Sequence, residues 1–154
     1  MTQQAAAPPS THKAETRQAG LRQASLGILI LLIVQFALGM GVNLYVTLPA
    51  AGQPHHASWF GNGTLLALHA ALGMVLILGA LAVLIRAIMA RNVTLIITSA
   101  VGFVAILLAA FYGSGFADKL TNGYSLGMAL AFAAALAAYA IGLYALRRPP
   151  SRPS

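Results

Sequence analysis

The 154-residue sequence contains no cysteine and only two acidic residues, Glu15 and Asp118. Without cysteine the chain forms no disulfide and offers no thiolate to a metal, an iron–sulfur cluster or a covalent intermediate. The scarcity of carboxylates also argues against hydrolysis by paired carboxylic acids, and two are too few for a carboxylate-rich metal cage. These absences remove several large classes of enzyme and metal site.

Charge of either sign is scarce, and apolar residues replace it. Charged residues make up 7% of the chain, against about 25% in soluble domains, and hydrophobic residues make up 59%. The apolar residues form four runs, each able to cross a hydrocarbon core of about 30 Å, at residues 25–48, 63–85, 93–112 and 124–146. Backbone inside a bilayer must satisfy its own hydrogen bonds, so each run predicts an α-helix.

The predicted fold is therefore all-α, a transmembrane four-helix bundle over residues 23–148. Residues 1–22 are rich in Gln, Ala, Pro and Thr and are expected to form a disordered cytoplasmic tail. Residues 149–154 form a short cytoplasmic tail after the last run.

The basic residues are distributed unequally between the two sides of this bundle. Only Lys119 falls on the side of the first and third loops; the other eight of the nine fall on the opposite side: Lys13, Arg17, Arg22, Arg86, Arg91, Arg147, Arg148 and Arg152. By the positive-inside rule both termini are cytoplasmic, and we expect a multi-pass protein of the bacterial plasma membrane. The basic residues stand at helix ends rather than on one folded face, which argues against nucleic acid as a partner.

Small residues recur at helical spacing in the last two runs. Such stripes let membrane helices approach closely, so they predict the bundle seam or, alternatively, a homo-oligomer interface. On the third run they are Thr98, Gly102, Ala105, Ala109 and Gly113, and on the fourth Gly127, Ala131, Ala134, Ala138, Gly142 and Ala145. On the first run Gln35, Gly39 and Asn43 share one face, which should point into the bundle.

His69 is the one histidine within a run, and Asn43, Tyr112, Tyr124 and Met128 fall at similar depth. We expect a polar cluster of Asn43, His69, Tyr112 and Tyr124 below the outer surface, with Asn43 in contact with His69. Imidazole and methionine are both axial ligands of haem iron, so His69 with Met128, or with a second protomer, could hold haem b. The alternative is that His69 bonds Asn43 or a tyrosine hydroxyl and orients the bundle without any cofactor.

The first outer loop carries adjacent histidines, His55 and His56, without a third or fourth ligand at usable spacing, so no metal site is predicted. No nucleophile motif of the G-x-S-x-G type is present, and no catalytic residue is predicted. The sequence thus predicts a non-enzymatic protein, a structural or accessory subunit embedded in lipid, with a homo-oligomer or a larger membrane complex as its setting. The alternative is a b-type haem protein that uses His69.

Three segments carry a family resemblance: LGMGVNLYVTLP (38–49), LALHAALGMVLILGALAVLIRAI (66–88) and SLGMALAFAAALAAYAIGLY (125–144). Together they resemble small four-span actinobacterial membrane proteins that carry no assigned function, which implies a four-helix membrane fold. More distantly, His69 at the outer end of an even-numbered helix resembles one half of a haem A synthase. The acidic residue and second histidine of that family have no counterpart in this chain.

Overall fold

Four long helices make up the protein. The computed structural model describes residues 9–46 and 63–146, and in the first helix it describes side chains from Thr16 onward except that of Arg17. The helices are α1 (Pro9–Tyr45), α2 (Gly63–Met89), α3 (Val93–Lys119) and α4 (Asn122–Ala145). All four are long and apolar enough to cross a membrane. The predicted all-α, four-helix architecture is confirmed, and length and composition make the chain a multi-pass membrane protein.

The helices alternate in direction and form a ring in chain order. Within the described ranges, the backbones of α1 and α3 each run close to those of α2 and α4, while no Cα atoms of a diagonal pair lie within 8 Å of each other. At one end Leu21, Ala87, Leu95 and Leu146 form a small apolar cluster that draws together one end of every helix. Arg22, Arg86 and Arg91 lie beside these helix ends, and this end of the bundle is called here the basic end.

The centre of the bundle is filled by side chains from all four helices. Leu32 of α1, Leu76 of α2 and Tyr139 of α4 are each 2% exposed, and Ala105 of α3 lies beside them. The outward-facing side chains are apolar as well. Ile33, Leu78, Val101 and Ile141 are all more than half exposed. An apolar exterior of this kind is stable only in hydrocarbon, in agreement with the composition.

The seam between α3 and α4 is the tightest in the bundle, because glycines on each helix receive large side chains of the other. Gly102 faces the Tyr139 ring, Gly127 faces Tyr112, and Gly113 receives the Met128 sulfur. Ala131, Ala138 and Gly142 are also buried. The small-residue stripes therefore form the seam as predicted, with one exception. Ala134 is exposed and borders a groove on the outer side of α3 and α4.

Two helices extend well beyond the sequence prediction. Residues 9–22 are helical rather than disordered, since α1 begins at Pro9; residues 1–8 lie outside the described part. Proline suits a first helical turn, and the Ala, Gln, Lys and Arg that follow favour helix. Leu21, which is 6% exposed, anchors this extension against the other helices.

The third helix continues seven residues past the predicted end at Tyr112, through a glycine-containing segment, to Lys119. Here the glycines support the helix, because the Tyr124 ring of α4 packs directly against Gly115. A large packing partner compensates for the low helix propensity of glycine.

Candidate functional site

The polar contact inside the membrane-spanning region joins α1 to α2 through Gln35 and His69. Gln35 Nε2 donates to the backbone carbonyl oxygen of His69 at 3.0 Å and lies 3.3 Å from His69 Nε2. The amide orientation follows from this geometry, because an amide oxygen at the same place would face a carbonyl oxygen. The two N–H groups of the amide can then serve the carbonyl and the imidazole nitrogen together.

Two glycines make this contact possible. Gly73 follows His69 by one helical turn, and a Cβ there would lie 3.3 Å from Gln35 Nε2. On α1, a Cβ at Gly39 would lie 3.0 Å from Cε1 of the imidazole ring. The His69 ring therefore rests on the bare backbone at Gly39, and the Gln35 amide reaches the α2 backbone beside Gly73.

The tautomer of the His69 imidazole follows from its contact with Gln35. If Gln35 Nε2 donates to His69 Nε2, that nitrogen is an acceptor and the proton of the neutral ring sits on Nδ1. Nδ1 is buried and has no hydrogen-bond partner within the described residues, and the same holds for Gln35 Oε1. The pair thus contributes one buried donor and one buried acceptor that each retain unused hydrogen-bonding capacity.

Asn43 does not take part in this contact. It is exposed, and it lies eight residues beyond Gln35 on α1, about 12 Å along the axis at the α-helical rise. The expected contact between Asn43 and His69 is replaced by the contact between Gln35 and His69. The sequence pattern places Gln35 on the inward face of α1 but does not identify it as the partner of His69.

The other predicted members lie together on the opposite pair of helices. The rings of Tyr112 and Tyr124 meet edge to face with centroids 6.2 Å apart. Lys119 Nζ donates to the Tyr124 hydroxyl at 3.0 Å and lies 5.2 Å from the centroid of that ring. Met128 packs against Gly113 of α3. The predicted cluster is therefore divided into a Gln35–His69 contact between α1 and α2 and an aromatic contact between α3 and α4.

This packing does not fit His69 and Met128 as the two axial ligands of a haem. His69 Nε2 lies within hydrogen-bonding distance of Gln35, and the Met128 sulfur is seated on α3. Both side chains would have to leave these contacts to face an iron atom between them. The described residues contain no group of three His, Cys, Asp or Glu side chains that could hold a metal ion, and His55 and His56 lie outside the described ranges. Haem held by His69 of two protomers stays the alternative prediction.

Tyr139 is a polar core residue that sequence reasoning missed as such. Its hydroxyl is buried without a hydrogen-bond partner among the described residues, and its ring lies against Gly102. The available signal was that Gly102 belongs to the small-residue stripe of α3 and that Tyr139 directly follows Ala138 of the stripe of α4. The side chain fills the middle of the bundle, which indicates a role in packing rather than in chemistry.

Comparisons of the chain with protein-family models, with curated proteins and with solved structures find no match.

Proposed function

We propose that this chain is a small non-enzymatic membrane protein that serves as a structural or accessory subunit and acts through its α3–α4 face. One observation carries the proposal, a lipid-facing groove of about 410 Å³ on that face. Its walls are small and aliphatic: Ala100, Val101, Val104, Ala105, Leu108 and Ala134.

The physics of helix association in lipid supports this surface as a contact site. Lipid is as apolar as the helices, so association depends on close packing, which small residues permit. Ala134 belongs to the small-residue stripe of α4 but remains exposed, whereas its neighbour Ala138 is buried in the seam. A helix of another membrane chain, or of a second copy, could approach α4 closely at this position.

The test is the composition of the particle in its own membrane. The full chain is extracted from native membranes in polymer discs, and native mass spectrometry determines what accompanies it. We expect a second polypeptide or a second copy at fixed stoichiometry. Ala134→Leu, which fills the groove, should lower the associated fraction at least fivefold.

Ala137→Leu is the matched control, because Ala137 is exposed on the same helix and does not line the groove. It should leave association unchanged. A wild-type chain that is monomeric in the discs, or equal losses in the two variants, would contradict the proposal.

The orientation proposed for this protein places the basic end, and with it both termini, in the cytoplasm of a bacterial cell. It is supported by the convergence of Leu21, Ala87, Leu95 and Leu146, which brings the basic helix ends to one side. Reporter fusions after residue 154 and within residues 50–58 test it. The C-terminal fusion should report the cytoplasm and the loop fusion the exterior, and the reverse pattern would refute the orientation.

A further inference from the structure

The basic end of the bundle has a groove between α1 and α2. Arg86 of α2 borders it, together with mainly apolar or small residues: Thr16, Gly20, Leu21, Met89 and Ala90. Its volume is about 260 Å³. The groove lies where the apolar part of α1 begins, near Gln18, and where α2 ends at Met89. It therefore sits at the depth at which lipid headgroups meet acyl chains.

The charge around this groove is strongly positive. Arg22, Arg86 and Arg91 are all exposed at this end, and the sequence adds five more basic residues beside the helix ends. Glu15 is the one acidic residue of the sequence near this end, since Asp118 lies close to the far end of α3. A headgroup with a net negative charge complements this arrangement more strongly than a zwitterionic headgroup, whose positive group offsets its phosphate.

The C-terminal end of α2 repels an anion less than a helix end with unpaired carbonyl oxygens would. The last carbonyls are bonded within the turn: Arg86 O accepts from Ala90 N, Ala87 O from Asn92 N, and Ile88 O from Arg91 N. Hydrogen bonds to these oxygens reduce the negative partial charge exposed at the helix end. Among the residues that line the groove, Arg86, in the last turn of α2, is the charged one.

The groove is also open on its α1 side. A Cβ added at Gly20 would meet no atom within 4 Å. Leu21, by contrast, is 6% exposed and packs into the cluster at this end of the bundle. One edge of the groove is therefore charged, its opposite side is bare backbone, and most of its lining is apolar.

We propose that this groove binds one anionic phospholipid, with the lipid phosphate at Arg86 and the start of an acyl chain against Met89 and the open backbone at Gly20. The phosphate of such a lipid matches the positive charge of Arg86, and its hydrocarbon chain matches the apolar lining beside it. A free phosphate would use only the first of them.

The experiment measures lipid retention by the full chain in detergent, using native mass spectrometry with added dioleoylphosphatidylglycerol or dioleoylphosphatidylcholine. We expect a single bound lipid with at least fivefold preference for the anionic lipid. Arg86→Gln should reduce retention of the anionic lipid about fivefold, the equivalent of ~1 kcal/mol for one basic residue near a charged surface. Gly20→Leu, which occupies open space, should reduce retention of both lipids without lowering thermal stability.

Arg91→Gln is the matched control, because Arg91 is exposed at the same end but does not line the groove. It should change retention less than twofold. Equal losses in Arg86→Gln and Arg91→Gln would show diffuse charge attraction and overturn the site. Equal retention of the two lipids, or displacement of the anionic lipid by an equal concentration of inorganic phosphate, would also overturn it.

Discussion

The side-chain amide of Gln35 reaches from α1 to donate a hydrogen bond to the backbone carbonyl oxygen of His69 on α2, with an N···O distance of 3.0 Å. In a helix that carbonyl also accepts from the N–H of the residue four positions on, Gly73. The interhelical bond is therefore an additional one, and it holds α1 and α2 at one mutual rotation. Directional bonds of this kind specify orientation, which apolar packing in lipid does not specify by itself.

The Gln35 contact should contribute measurably to stability. Gln35→Leu keeps the side-chain volume but leaves the His69 imidazole without its partner, so the free energy of unfolding should fall by about 1 kcal/mol. The measurement is an unfolding titration in mixed micelles followed by circular dichroism. Asn43→Leu should change stability by less than about 0.5 kcal/mol, since Asn43 is exposed. A larger loss in Asn43→Leu than in Gln35→Leu would restore Asn43 as the polar partner.

A side chain at Gly39 should be destabilising. In Gly39→Ala the new Cβ would lie 3.0 Å from His69 Cε1, and displacing the ring should cost about 1–3 kcal/mol by analogy with overpacked cores. Gly27→Ala on the same helix meets no atom within 4 Å and should be neutral or slightly stabilising. Thermal unfolding in detergent compares the two variants. Equal melting temperatures would show that the ring yields freely and that Gly39 does not position it.

The α3–α4 seam should reject added volume at Ala138. Ala138 is 6% exposed, so Ala138→Leu should lower the free energy of unfolding by about 1–3 kcal/mol. Ala137→Leu makes the same substitution at the neighbouring exposed position and should be nearly silent. The unfolding titration distinguishes them, and similar losses in both variants would remove the seam assignment.

Haem binding has a direct spectroscopic test. Because His69 Nε2 lies 3.3 Å from Gln35 Nε2, we expect protein expressed with abundant haem and purified in detergent to show no Soret band. A Soret band that His69→Ala abolishes would contradict this expectation. Its persistence in Met128→Leu would then indicate His69 of a second protomer as the other axial ligand.

The outer end of α1 decides which of its residues lies at the depth of His69. A first span that reaches Leu48 places Asn43 at that depth. The helix ends at Tyr45, so the residue six positions inside α1 is Gly39, just as His69 is six positions inside α2, which begins at Gly63. Equal depths do meet across the hairpin, and the structure shows Gly39 against the His69 ring.

The sequence by itself determined the architecture, because four long runs without charge have one stable state in lipid, as helices that bond their own backbones. It also determined most of the seam, since stripes of small residues such as Gly102 and Ala138 are legible at helical spacing. The tertiary structure alone decided that Gln35 and not Asn43 meets His69, that Ala134 faces outward, and that α3 continues past Tyr112. These outcomes depend on the rotation of each helix and on which side chain of a neighbour fills the space above a glycine. Both are set by packing between segments distant in the chain, which hydrophobic periodicity does not encode.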